Sequence, residues 1–171
     1  MVTRSMDEPY FKKYLAYVDP AMRPVDELEA QASRFLSWCQ RVDVSQTLVL
    51  HGSYTWTFRQ VLNHITDSER VFAFRMLWFA RGSQVPLPGF DEHEFSSNAS
   101  ANHLDWQALL DEFRAVREAT IALLRNLPPE AWPRGGTAAS HEVDLSLLFG
   151  MICGHVEHHF KILQTRQPNL R

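Results

Sequence analysis

Leu145-Ser146-Leu147-Leu148-Phe149-Gly150-Met151-Ile152-Cys153-Gly154-His155-Val156-Glu157-His158-His159-Phe160-Lys161-Ile162 is the stretch on which the fold turns. Leu145, Leu148, Ile152, His155, His159 and Ile162 recur every three or four residues, the period of one helix face. Asp144 in front of it is a good N-cap, and Pro168 lies just beyond its far end. The stripe is apolar except at His155 and His159, which stand where the period asks for core residues. Two imidazoles at i and i+4 project from one face a turn apart, so both ring nitrogens can reach a single ion. Two readings stay open for the pair. Either they are core histidines bonded to neighbouring polar groups, or they share a metal ion. His158 falls off the stripe and reads as a supporting or surface residue.

Working outward, three more segments carry the same period. Residues 105–127 hold it through Trp106, Leu109, Leu110, Phe113, Val116, Thr120, Leu123, Leu124 and Leu127, and Pro128-Pro129 stops them. Residues 57–81 open with a capping box, Thr57-Phe58-Arg59-Gln60, and close before Gly82. Here Phe58, Leu62, Ile65, Phe72, Met76 and Phe79 form one stripe, and Val61, His64, Ser68, Val71 and Trp78 form its neighbour. So wide an apolar face suits a helix that touches two others. Residues 20–42 follow suit through Val25, Leu28, Ala32, Phe35, Cys39 and Val42. A shorter amphipathic piece over 7–18 precedes them, with Asp19-Pro20 as the break.

The predicted fold is therefore all-α: a four-helix bundle with a short extra N-terminal helix, in one domain over 1–171. The connection over 82–104 is long for a bundle, and such loops often cover a site. No strand-like alternation is long enough to predict a sheet in the remaining connections, 43–56 and 130–143.

Composition bounds the function. Of 171 residues, 45 % are hydrophobic and 22 % charged, which allows one sizeable core. The net charge of −3 comes with no basic stripe, which argues against a nucleic-acid partner. No run approaches the ~18 apolar residues of a membrane span. The two cysteines, Cys39 and Cys153, match neither a zinc spacing nor a disulfide framework, and the first residues lack the apolar core of a signal peptide. A cytoplasmic protein with free thiols is the expectation.

Several catalytic patterns are excluded. A zincin needs glutamate directly after the first histidine, where this chain has Val156. A di-iron bundle needs two Glu-x-x-His pairs, and the chain contains none. His64, on the core-facing half of its helix, is the best third partner for His155 and His159. Asp67, one turn on, is the candidate catalytic carboxylate, able to orient a ligand histidine or a bound water. Its bland alternative, shared with Glu69, is a solvated pair with Arg70 or Arg75. His51, His93, His103 and His141 fall in loops.

Three stretches together resemble the DinB superfamily of metal-dependent four-helix proteins. They are Trp56-Thr57-Phe58-Arg59-Gln60-Val61-Leu62-Asn63-His64-Ile65 with Asp67, Glu69 and Arg70; Leu87-Pro88-Gly89-Phe90-Asp91-Glu92; and Gly154-His155 with His158-His159. The resemblance covers about residues 20–166. It implies a divalent metal, zinc or nickel, held by His64, His155 and His159, and it implies a homodimer. It also implies a small-molecule substrate with a low-molecular-weight thiol as co-substrate, since relatives include thiol-dependent transferases. In one place the chain departs from the pattern. Relatives often carry glutamate directly after the first histidine of the pair, whereas here it stands one place later, at Glu157. The functional expectation is a metal-dependent enzyme that activates a small thiol for transfer. A metal-dependent hydrolase and a non-catalytic, metal-stabilised scaffold are the alternatives.

Overall fold

The computed structural model describes residues 11–17, 23–52 and 54–170. Among the described residues six α-helices form: α1 (Lys12–Leu15), α2 (Pro24–Cys39), α3 (Phe58–Ala80), α4 (Glu92–Asn98), α5 (Trp106–Arg125) and α6 (Leu145–Arg166). The bundle is α2, α3, α5 and α6. Their ends follow local chemistry. Pro24 supplies the first turn of α2. Thr57 and Gln60 close the capping box of α3, and Asp105 and Asp144 cap α5 and α6. Gly82 leaves α3 with φ 84°, a left-handed turn that favours glycine. Of the predicted N-terminal helix over 7–18, the residues described carry only the four-residue α1. Residues 7–10, 18 and the break at Asp19-Pro20 lie outside the described residues, as do the first three positions predicted for α2.

The packing order is set by two apolar clusters. In one, Leu28 of α2 meets Phe72, Met76 and Phe79 of α3, Ile121 and Leu124 of α5, and Leu145, Leu148 and Ile152 of α6. In the other, Phe35 and Cys39 meet Phe58, Leu62 and Ile65, Trp106, Leu109 and Phe113, and Val156, Phe160 and Leu163. Following each helix from cluster to cluster gives its direction. α3 and α5 run one way, and α2 and α6 the other. α3 packs on α5 and α6, and α2 packs on the same two, so helices consecutive in the chain, α2 with α3 and α5 with α6, lie across the diagonal. The parallel pair α3/α5 therefore needs a connection that returns the full length of the bundle. Residues 81–105 are that return, and the length of this segment is a topological requirement.

Between the clusters runs a polar belt. Arg117 of α5 makes two bonds to the Glu69 carboxylate, Nε to Oε1 at 2.8 Å and Nη2 to Oε2 at 2.7 Å, both side chains being 1 % exposed. Its Nη1 donates to Gln31 Oε1 (3.1 Å) and to the Leu28 carbonyl (3.2 Å), and Gln31 Nε2 donates to the Cys153 carbonyl (2.8 Å). All four bundle helices contribute. The solvated pairing of Glu69 with Arg70 or Arg75 is thus corrected: Arg70 pairs with Asp67 and Glu112, while Glu69 is buried with Arg117.

Two elements were not expected from the sequence. α4 lies inside the return segment, capped by Asp91, whose carboxylate accepts from the amides of His93 and Glu94. Strands β1 (Gly135–Ala138) and β2 (His141–Asp144) form an antiparallel hairpin. It turns at Ala139 and Ser140, both with positive φ, and so without the Asn-Gly signal such turns usually carry. The hairpin grips the return segment: Leu87 N donates to the Thr137 carbonyl and Ala139 N to the Leu87 carbonyl, each at 3.0 Å.

Candidate metal centre

At the seam between the two clusters α3 faces α6 and brings three imidazoles together. One ligand nitrogen from each of His64, His155 and His159 lies within 4.8 Å of the others. His64 Nε2 and His155 Nε2 are 2.9 Å apart. Ring centroids are separated by 4.6 to 5.0 Å, with the planes steeply inclined to one another. Two nitrogens on a tetrahedral ion at ~2.05 Å stand roughly 3.3 Å apart. The observed separations bracket that value, and the donor set fits a borderline divalent ion.

Burial keeps all three rings neutral, the state a metal ligand needs. Desolvation pulls His64 down to about 4, with Glu92 opposing and His93 reinforcing. Desolvation pulls His159 to about 2, helped by His64, His158 and Lys13. Burial also holds His155 well below the ordinary histidine range, and His159, His64, His158 and Lys13 add to the effect.

The surroundings are aromatic. Trp56 lies against His64 at 4.8 Å between centroids, and His93 lies against Trp56 at 5.5 Å. Tyr14 presents its ring edge to His155 at 5.2 Å. His158 packs on Tyr14 and on His159 rather than joining the cluster. Of the histidines expected in loops, His93 stands in α4 and His141 in β2; His51 takes a 3.3 Å contact with Arg166, and His141 packs on Phe11.

A cavity of about 280 Å³ opens beside His64 and His155. The return segment roofs it with Phe90 and Glu92, α3 supplies Phe72 and Arg75, and α1 supplies Lys13 and Tyr14. Arg75 Nη2 donates to the Pro88 carbonyl at 2.9 Å, tying roof to wall. Lys13, Arg75 and Glu92 are the charged groups that sequence reasoning missed. Arg75 reads there as the partner of a surface carboxylate, and Glu92 as part of an acidic run. The return segment brings Glu92 to the histidines and α1 brings Lys13, while Arg75 stands on α3 itself, eleven residues beyond His64.

Asp67 is placed elsewhere. It lines a separate cleft with Arg70, Val71 and Phe95, and Arg70 Nη1 donates to its Oδ1 at 3.1 Å. Burial raises its carboxyl above the usual range, and Arg70 offsets part of the rise. Glu157 faces Arg34 at 3.5 Å, away from the cavity. Trp78 donates to the Val85 carbonyl and so steadies the start of the return segment. Cys39 and Cys153 are both buried free thiols, and desolvation pushes both well above the ordinary thiol range.

Comparisons with known proteins agree with this architecture. No match was found among curated proteins. Among solved structures the fold is similar to YfiT from Bacillus subtilis, described as a probable metal-dependent hydrolase with an unusual four-helix bundle topology. The TM-score is 0.75 at 20 % identity, over 90 % of this chain and 98 % of that one. It is also similar to a mycothiol-dependent maleylpyruvate isomerase, with a TM-score of 0.69 at 18 % identity over 81 % of this chain. This chain spans 58 % of that isomerase's length. The model of the DinB superfamily matches residues 27–163, most of the chain, and the chain therefore belongs to the DinB superfamily.

Proposed function

We propose that the protein is a metal-dependent enzyme whose single divalent ion, zinc or nickel, is held by His64, His155 and His159. The observation that carries this reading is the convergence of three neutral imidazoles, two of which, His64 and His155, line a cavity. Three protein ligands leave a coordination position open, whereas a structural site is normally closed by four. When bound, the ion supplies Lewis acidity that lowers the pKa of a thiol or water in that position. The chain's own residues do the rest. The histidines stay deprotonated because they are buried. Trp56 and the aromatic walls keep bulk water from the rings. Glu92 is the carboxylate beside the cavity, and it is better placed than Asp67 to take up a proton there.

The substrate is a small molecule, and the leading reaction is transfer of a low-molecular-weight thiol to an electrophile. The protein provides no thiolate of its own, since both cysteines are buried and their ionisation is suppressed, so the sulfur must come from outside. The isomerase to which the fold is similar is named as mycothiol-dependent. Hydrolysis is the second reading, favoured by the description of YfiT and by a cavity with room for about one small molecule. A homodimer working in the cytoplasm, as one domain over 1–171, completes the proposal.

Metal content decides the site. Protein purified without an affinity tag is expected to hold one ion per chain, and His64→Ala or His155→Ala to lose it. Full stoichiometry in both variants would sink the triad. The reaction is decided by a fluorogenic electrophile offered with a panel of cellular thiols, with and without chelator. Metal-dependent conjugation is expected, and turnover of ester or amide probes without any thiol would instead favour hydrolysis.

A further inference from the structure

α1 is only four residues long, too short to hold a helical turn by itself. It is held by a notch in α6. A Cβ built on Gly154 would stand 2.0 Å from the Tyr14 carbonyl oxygen, and one on Gly150 would stand 2.6 Å from Leu15 Cδ2. Glycine at 154 therefore lets the α1 backbone settle directly on the helix that carries His155 and His159. Docked there, Tyr14 is buried against His155, and Lys13 reaches the same cavity. The cavity thus has walls of two origins: the bundle and its return segment on one side, and a docked four-residue helix on the other.

We propose that α1 is a specificity-determining wall of this cavity and that, through Lys13, it selects a small substrate bearing a carboxylate or comparable anionic group. The inference rests on the proposed function only in taking this cavity as the substrate site. Lys13 and Arg75 are the cations lining it, and Glu92 is the one acidic group among the described lining residues. Tyr14, Phe72 and Phe90 give aromatic walls for the apolar remainder of such a molecule. The volume of about 280 Å³ lies at the small end for ligand pockets, which limits the substrate to a compact acid.

The test compares benzoate with benzamide, its neutral isostere, by calorimetric titration of metal-free and metal-loaded protein. Wild type is expected to bind benzoate more tightly than benzamide. Lys13→Gln should weaken benzoate roughly fivefold at low ionic strength, the gap closing as salt is added, with benzamide unchanged. Lys13→Glu should weaken benzoate further. Lys13 is exposed, so both variants should keep the fold. Gly154→Ala, which displaces all of α1, should weaken both probes while leaving metal content intact. Equal benzoate affinity in wild type and Lys13→Gln would overturn the proposal, as would a wild type that binds neither probe or does not tell them apart. The metal-free titration keeps the two readings separate. A protein that fails to hold metal but still distinguishes the probes would retain this inference and lose the metal triad.

Discussion

Burial of three histidines has a cost that appears in acid. Each ring is neutral in the folded protein well below the ordinary histidine range, while in the unfolded chain it takes up a proton near pH 6.5. Above that pH neither state carries the charge, and stability is unaffected. As pH falls below 6.5 the unfolded state alone gains protons. Stability then declines until the folded pKa is reached, at about 4 for His64 and about 2 for His159. Each ring contributes up to about 1.4 kcal/mol per pH unit to that decline. The metal-free protein should therefore melt at steadily lower temperature from pH 6.5 towards pH 4. His64→Gln should flatten the dependence, and an unchanged slope in that variant would show that the ring is solvated. That His155 and His159 share a face is legible from their spacing, and His64 from its place on a neighbouring stripe. Arg75, eleven residues beyond His64 on α3, shares its face by the same period. Lys13 and Glu92 give no such signal, because what brings them to the histidines is a docking notch and a chain reversal, and neither has a period.

Among the elements, the four bundle helices were legible and their partners were not. The cap at Thr57, the cap at Asp144 and the stop after α5 are local chemistry, written within four residues of where they act. The hairpin β1–β2 turns through two non-glycine residues with positive φ, and its strands are four residues long, so neither alternation nor turn composition marks it. The Arg117–Glu69 pair was hidden differently: each residue alone looks like an ordinary helix-surface charge. Its removal should be felt by the whole bundle. Arg117→Leu leaves a buried carboxylate without its partner and should cost about 3–5 kcal/mol in urea unfolding. Adding Glu69→Leu should recover part of that loss, because the unpaired charge then disappears. A double variant as unstable as the single one would mean that the belt contributes packing rather than charge pairing.

For the molecule as a whole, the parallel α3/α5 pair is the constraint from which the rest follows. α3 has 23 residues and spans about 34 Å, and the chain must come back along it before α5 can start. It arrives where Thr57 Oγ1 donates to Asn102 Oδ1 at 2.6 Å and Arg59 donates to the carbonyls of Asn102 and Leu104. Replacing residues 83–104 by six glycine and serine residues leaves at most ~21 Å of reach, too little for the return. Such a variant should lose native helical packing, read by near-ultraviolet circular dichroism and size-exclusion chromatography. A replacement of the original length should keep the bundle and lose the roof over the cavity. The diagonal connections also bear on how the chain reaches this state. Helices adjacent in sequence share little surface, so neither α2–α3 nor α5–α6 can close early as a local hairpin. Loop-closure entropy must be met before most stabilising contacts form, which slows folding relative to an up-and-down bundle. Until α6 has been synthesised, α2 and α3 both expose the apolar faces that it will cover, and for that interval the nascent chain depends on whatever shields it from aggregation.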